Sequence, residues 1–406
     1  SLARTNSVLD NVAQMSNIST TARNKILGEA HFLRAFNHFM LVINYGSVPI
    51  RSKTVSTTSD AFRDFAPIQD VYAFIIGELE DAIGLLPVNK VQGRADKVAA
   101  QALLARVYLY LASSKASGAP GYDWVSDADE MYRLAAQYAG DVLDKQTVYR
   151  LDPDLGNVYD VEHQADGVEH IFMTSMNREA SGMEGTYSQL PQMFCIQTGS
   201  IVYISASLGE NSREVMKFMD YESGYQVMRV DNDFRETYDD DDLRKQLMVT
   251  TIYNEDGSVL AAYDPSNLTS SDNIKNKFFY PFCRKYTDPK SKSNRTSANL
   301  YLIRFAEVAL TYAEAVGPTD EGYRWVNEVR RRAGLDALPE GLSIEDFREA
   351  VIEERTKELA FEGHGIYDLR RLNRVDEQHI TNKAFKPAYA YFYPAPQREL
   401  DLNPQK

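Results

Sequence analysis

The chain has 406 residues, 44% hydrophobic and 25% charged, ordinary globular proportions that exclude a disordered, collagen-like or disulfide-scaffold protein. Its 44 basic and 58 acidic residues leave a net charge of −14, which argues against a nucleic-acid partner, because such binding needs a basic face to displace phosphate counterions. No run approaches the about 18 uninterrupted apolar residues of a membrane span; even residues 98–112 contain Gln101 and Arg106. The chain opens at Ser1 without an initiator Met or an apolar leader, so a processed or truncated form is expected.

Helical period dominates the first third. Over residues 25–43, Phe32, Phe36, Phe39, Met40 and Ile43 form one stripe and Ile26, Ala30 and Leu33 an adjacent one, a face wide enough for burial on two sides. Gly46 and Pro49 in NYGSVPI end it, and a loop is expected over 51–67. Helices are predicted next over 68–86, closed by Pro87, and over 95–113, where Ala95, Ala99, Ala102 and Ala105 permit close contact. Their short connection predicts antiparallel packing. After the Gly/Pro-rich SGAPGYDW a further helix is predicted over 127–143.

Residues 148–294 read differently. They are rich in Tyr, Asp, Ser and Asn and lack sustained helical period, and one piece is clear: VTTIYNEDGSVLAAY alternates around Asp256-Gly257 as a β-hairpin. Beyond them, LYLIRFAEVALTYAEA places Leu302, Phe305, Ala306, Ala309, Tyr312 and Ala313 on one helical face, broken at Gly317-Pro318. A helix over 319–333 carries Tyr323, Val326 and Val329, and Ser343 with Asp346 opens another in capping-box fashion, reaching about Phe361.

Metal and nucleophile signals are poor. Cys195 and Cys283 have no CxxC spacing and read as buried small hydrophobes. His31 and His38 lie seven apart without a third ligand, unlike a helical zinc pair. His364, between two glycines in FEGHGIYD, reads as a hydrogen-bonded structural histidine. GxSxG, P-loop and GxGxxG motifs are absent. The run Asp239 to Asp242 lacks the Gly and terminal Glu of an EF-hand loop and reads as a solvated turn or helix start. A structural calcium ion held by loops, for instance at DNDF from Asp231, stays open. Aromatics are more informative: Phe62 and Phe65 in SDAFRDF, Tyr122 and Trp124 in GYDW, Tyr187 in GTYSQ and Tyr203 in IVYIS lie in predicted loops beside polar residues. Such flat faces suit sugar rings, whose C–H groups stack while hydroxyls take directional hydrogen bonds, although packing is the commoner role of any one of them.

Three segments, in order, resemble the SusD/RagB family of outer-membrane glycan-binding lipoproteins of Bacteroidota: GEAHFLRAFNHFMLVINYGSVPI; LIRFAEVALTYAEA with WVNEVRRRAGL and EERTKELAFEGHGIYDLRRL; and the closing YFYPAPQRELDLNPQ. RADKVAAQALLARVYLYLA, DDDDLRKQL and FCRKYTDP match more weakly between them. The resemblance implies a mainly α single domain of about four tetratricopeptide-like helix pairs forming a superhelical scaffold, with a loop-rich subdomain that contains the small β-hairpin. Helical repeats are then expected in 1–145, the loop-rich insertion in 146–295, and further repeats with a terminal extension in 296–406.

The resemblance also implies a non-enzymatic role: a glycan-binding subunit on the extracellular face of the outer membrane that caps a SusC-like TonB-dependent transporter and delivers oligosaccharides to it. Its lipid anchor is expected on a cysteine of the precursor. No catalytic residue, metal or cofactor is implied. Ligand residues of the family lie in loops, including the one after the first GxxP element, so Arg51, Asp60, Phe62 and Phe65 are first candidates, with Trp124 and Tyr203 behind them. Trp325 falls in a helical signature, leaving Trp124 as the single loop tryptophan and departing from the stacking arc of starch-binding members. Glu354, Arg355, Glu358, Asp368 and Arg371 belong to the signatures and read as packing and ion-pairing residues. A mainly structural lid of the transporter and a peptide-binding RagB-like protein are the alternatives.

Overall fold

The computed structural model describes residues 2–180, 187–208, 214–264, 280–375 and 389–402. It opens with a helix that the apolar pattern does not mark, α1 (Leu2–Val12), whose buried residues are the polar Thr5 and Asn6. The Asn6 amide donates to the carbonyls of Arg51 and Lys53, both at 3.0 Å, so α1 braces the loop beyond the next helix. That helix, α2 (Thr20–Tyr45), starts ahead of the apolar stripe because the Ser19 hydroxyl accepts the Ala22 N–H as a cap. Gly46, at φ +71°, closes it. A single turn, α3 (Thr58–Ala61), interrupts the expected loop. Then come α4 (Ile68–Leu85), α5 (Lys97–Ser117) and α6 (Ala128–Asp144), the last two capped by the side chains of Asp96 and Asp127.

The middle of the chain is built from short pieces: α7 (Leu155–Tyr159), β1 (His170–Thr174), α8 (Leu190–Phe194), β2 (Tyr203–Ser205), β3 (Val215–Lys217), α9 (Asn232–Arg235), a 3-10 turn (Leu243–Leu247), β4 (Met248–Val249), β5 (Thr251–Tyr253), β6 (Val259–Ala262), β7 (Phe282–Cys283) and β8 (Leu300–Arg304). The expected hairpin is β5–β6, turning at Gly257 with φ +80°. It belongs to a larger antiparallel sheet of order β3-β2-β5-β6, while β1 pairs with β8 and β4 with β7. The scaffold then resumes with α10 (Phe305–Val316), α11 (Asp320–Arg332), α12 (Ile344–Glu358), α13 (Gly365–Arg371) and α14 (Gln397–Leu402). Asn403 and Pro404 of the closing signature lie outside the described residues.

Two readings need correction. Residues 302–304 are not helical: they end β8, hydrogen-bonded to β1, and α10 starts only at Phe305. A short apolar run does not distinguish strand from helix, and here pairing with a distant strand decides. Of the run Asp239 to Asp242, the first three are exposed and Asp242 does start a helix, capping the 3-10 turn through the Arg244 N–H, but at 1% exposure it is buried and not solvated.

The fold is mainly helical. Helix α2 packs on α4, α4 on α5, α5 on α6, and α6 directly on α10, which carries α11 and α12. The chain thus leaves the helical stack after α6 and rejoins it at α10. The pairs α2/α4, α5/α6 and α10/α11 are tetratricopeptide-like, while α13 packs on α5 and is tied to α12 by Arg355 Nε donating to Asp368 at 3.0 Å. One apolar core runs through all of them, including Phe32, Phe39, Tyr72, Leu103, Phe305 and Phe347. A second core, around Phe194, Phe218, Phe282 and Tyr286, fills the middle segment and holds both free cysteines. Burial pushes the Cys283 thiol up to about 12, which keeps it inert.

A buried ion network lies between the two cores. Arg304 donates to Glu169, Glu358 and Glu362, each at 2.7 Å. Arg332 reaches Glu358 at 2.6 Å and also pairs with Glu169. Arg244 binds Asp242, Glu354 and Glu358, Lys285 binds Glu362 at 2.7 Å, and Arg330 binds Glu354 at 3.0 Å. Five cations thus face five carboxylates. Burial alone would raise the Glu362 carboxyl, but the guanidinium of Arg304 and the ammonium of Lys285 bring it down from 4.5 to about 2.

Removing Glu362 leaves the buried Lys285 without a carboxylate and Arg304 with one fewer, so Glu362→Gln is expected to lower the unfolding free energy by about 3–5 kcal/mol at pH 7, measured by urea denaturation. A depressed carboxyl stabilises the fold above its unfolded value and loses that stabilisation as pH falls through its folded value. The gap between wild type and Glu362→Gln should therefore shrink between pH 4.5 and about 2. Burial also pushes His364 down from 6.5 to about 4, so a separate loss of stability, absent in His364→Gln, should begin as pH falls below 6.5.

Candidate functional site

Arg51 is held from three sides. Its backbone N–H donates to His38 Nε2 at 3.2 Å, its guanidinium to the Ala61 carbonyl at 2.6 Å, and Glu399 lies 3.7 Å away. His38 Nδ1 in turn bonds the Arg34 carbonyl at 2.8 Å, and burial lowers its pKa, so it works as a neutral spacer. Arg34 bridges Glu78 to the Ser52 carbonyl, which anchors the base of the 51–67 loop to α2 and α4. Farther out, Asp60 accepts from the Ser56 hydroxyl at 2.7 Å and the Thr57 N–H at 3.0 Å, and these bonds, the hydroxyl first, bring its carboxyl down to about 2. Asp60 thus shapes its own loop. Phe62 and Phe65 are half-buried beside it.

Trp124 sits elsewhere. Its indole N–H donates to the Gly121 carbonyl at 3.0 Å, and its ring lies 5.9 Å from that of the fully buried Tyr72. The side chain packs on the helical core, as does the buried Tyr122.

Tyr203 lies on the four-stranded sheet. The inward residues Ile204, Ile252 and Ala261 enter the second core, so the alternate residues face outward. Tyr203 is directly opposite Lys217 on one side and Tyr253 on the other, and Tyr253 is opposite Val259. Cross-strand partners share a face. A row Lys217, Tyr203, Tyr253, Val259 therefore crosses the open side of the sheet. Lys217 Nζ is held by Asp220 at 2.9 Å, which places a charged pair at the end of an aromatic strip. Tyr253 was readable from TIY once Ile252 was assigned to the core.

A second aromatic surface lies on α8. The loop after β3 folds onto this helix: the N–H groups of Tyr225, Gln226 and Val227 donate to the carbonyls of Gln192, Cys195 and Met193. Gly224 approaches so closely that an added Cβ would lie 2.2 Å from the Cys195 carbonyl oxygen. Tyr187, just before α8, bridges Arg295, and its hydroxyl accepts from Gln189 at 3.0 Å. Tyr187, Tyr221 and Tyr225 are between 39% and 46% exposed. No sequence motif marks Tyr221 or Tyr225.

Two cavities accompany these surfaces. One of about 210 Å³ lies against α2, α5 and α13, and its charged walls are already paired: Arg106 with Glu307, Arg355 with Asp368, Arg371 with Glu314. The other, of about 470 Å³, is polar and lies between α7 and the β2–β3 connection, with Asp154, Asn157, Asp160, Ser207, Met216, Arg284 and Thr287 in its wall. From Met216 in that wall to Tyr221 the chain spans at most about 17 Å.

Among the described residues His31, Glu78 and Asp81 form the one group with metal-ligand spacing. Glu78 already takes Arg34 at 2.7 Å through each carboxylate oxygen, which disfavours a cation there. The exposed tyrosines, amides and hydroxyls of the middle segment instead offer what a polyhydroxylated ring needs: flat faces flanked by directional donors and acceptors.

Comparison with known proteins identifies the family and the fold. The profile of the SusD family matches residues 168–405, and one described as "Starch-binding associating with outer membrane" matches residues 1–109. SusD-like protein P2 of Formosa agariphila is 26% identical over 402 residues, covering 94% of this chain and 72% of that protein. Among solved structures, surface glycan-binding protein A of Bacteroides thetaiotaomicron in complex with laminarihexaose superposes with a TM-score of 0.70 at 20% identity, covering 98% of this chain and 81% of its own. A structure with xylogluco-oligosaccharide gives 0.74 at 18% identity, covering 100% and 84%.

The packing of Trp124 and the outward position of Tyr253 predict opposite responses to truncation. Trp124→Ala should lose about 2 kcal/mol in denaturant unfolding, whereas Tyr253→Ala should stay within about 0.5 kcal/mol of wild type.

Proposed function

Because the chain belongs to the SusD/RagB family, we propose that it captures oligosaccharides or polysaccharides at the outer face of the outer membrane and hands them to a SusC-like TonB-dependent transporter, to which the helical stack docks. A lipid anchor on the precursor would hold it there. The observation that carries this reading is the in-register Tyr203–Tyr253 pair on the open face of the β3-β2-β5-β6 sheet. Relatives of the same fold hold laminarihexaose and a xylogluco-oligosaccharide, which supports a saccharide as the ligand.

Capture would work without bond making or breaking. Sugar rings stack their C–H faces on Tyr203 and Tyr253, each aromatic contact contributing about 0.5–1.5 kcal/mol, while Lys217, Ser205 and Thr251 around them bond hydroxyls. The loop at Arg51, Phe62 and Phe65 is a second candidate surface for the ligand. Stacking of neutral sugars involves no net charge, so their affinity should be nearly independent of salt. The five carboxylates between the cores are each paired with a buried or half-buried cation, which supports a structural role for them and not one as general acids.

Affinity gels and calorimetry against laminarin, xyloglucan, starch and the acidic polygalacturonate test the reading. Retention of at least one is expected. The double variant Tyr203→Ala/Tyr253→Ala should weaken it about tenfold, equivalent to about 1.4 kcal/mol, and Phe62→Ala/Phe65→Ala should weaken it less. Unchanged retention in the tyrosine variant would remove the sheet from the site. Co-purification with a SusC-like barrel tests the transporter half.

A further inference from the structure

Arg284 is half-buried and is treated differently from the buried arginines near the second core. Arg244, Arg304 and Arg332 each meet at least two carboxylates. The Arg284 guanidinium has only long contacts, to the Ser207 carbonyl at 3.4 Å and the Met216 sulfur at 3.9 Å. Among the described residues no carboxylate forms an ion pair with it. Its backbone is fixed, the N–H donating to the Leu247 carbonyl at 2.9 Å and the carbonyl accepting from the Thr287 hydroxyl at 2.7 Å. The side chain is therefore held in the wall of the 470 Å³ cavity with most of its donors unused. Burial pushes it down to about 10, and the titratable neighbour acting on it is the neutral Cys283 thiol.

The acidic residues of the same wall are engaged elsewhere. Asp154 caps α7, accepting the Gly156 N–H at 2.7 Å, and Asp160 holds His163 at 2.8 Å and the Glu162 N–H at 2.9 Å. A half-buried cation without a carboxylate partner leaves a positive field in the cavity, which favours an anionic occupant. The cavity has the volume of a small-ligand site, and a guanidinium presents the fork that pairs bidentately with an oxyanion. A neutral sugar would give hydroxyl bonds but leave the charge uncompensated.

We infer that the Arg284 cavity is a subsite for an acidic sugar, receiving the oxyanion of a uronate carboxylate or of a sulfate ester while Ser207, Asn157 and Thr287 surround the ring. This deepens the capture reading and rests on it: the glycan would be an anionic one, with its charge on Arg284. The net charge of −14 makes such a local cation more selective, because nonspecific attraction of polyanions is weak elsewhere on the surface.

The test uses calorimetry and thermal melting of the full chain with D-galacturonate, D-galactose and inorganic sulfate as probes. Galacturonate should bind at least tenfold more tightly than galactose and raise the melting temperature more. The difference should shrink as salt rises from about 0.01 M to 1 M. Arg284→Gln should abolish the difference, and Arg284→Lys, retaining the charge without the fork, should restore part of it. Displacement of galacturonate by sulfate at similar concentration assigns the site to sulfated sugars, and its failure assigns it to uronates. Equal binding of galacturonate and galactose by wild type overturns the inference, as does an undiminished difference in a folded Arg284→Gln. Failure of the capture reading shows separately, as absent retention of every polysaccharide in the gel, neutral or acidic.

Discussion

The seating of the middle segment on the helical stack depends on the ion network between the two cores. The middle segment has little regular structure, with strands of two to five residues and helices of four or five, and it cannot hold its position by secondary structure alone. Arg304, at the junction of β8 and α10, ties Glu169 from the start of that segment to Glu358 and Glu362 on and after α12. Arg244 and Lys285 add ties from its interior. Because each ion is desolvated, its stability depends on the whole set being complete, and partial assembly is penalised. The network therefore fixes where the sheet sits on the helices.

On that foundation the division of labour is physical. The helical stack spends its apolar surface inward, through α2, α4, α5, α6 and α10. The middle segment turns one sheet face inward, through Ile204, Ile252 and Ala261, and leaves Tyr203 and Tyr253 outward. Short strands with irregular connections also leave cavities that a regular sheet would close, and the Arg284 cavity is one of them. The loop after α2 takes a third approach, with its base locked by Asn6, Arg34 and His38 and its tip shaped by Asp60.

Legibility followed the range of the interactions. Helices α2, α4, α5 and α6 could be read because period, capping residues and Gly or Pro stops are local. Helix α1 escaped because its buried residues are Thr5 and Asn6, chosen for hydrogen bonds to a later loop. Strand β8 was taken for helix because its partner, β1, lies far back in the chain. The signature EERTKELAFE announced ion pairing, yet its partners Glu169 and Arg304 are separated by 135 positions and only folding brings them together. Trp124 resembled a loop aromatic but packs on Tyr72. Tyr203 was marked, Tyr253 was hidden inside a hairpin assignment, and Arg284 carried no signal, since an absent partner is visible only in three dimensions.

Hydrogen–deuterium exchange with a saturating saccharide addresses the central claim most directly, that the open face of the β3-β2-β5-β6 sheet is where glycan is held. With an oligosaccharide shown by calorimetry to bind, exchange should slow in residues 203–205, 215–220 and 251–262 and stay unchanged in α5 and α10. Slowing confined to the helical stack, with the sheet unaffected, would contradict the account.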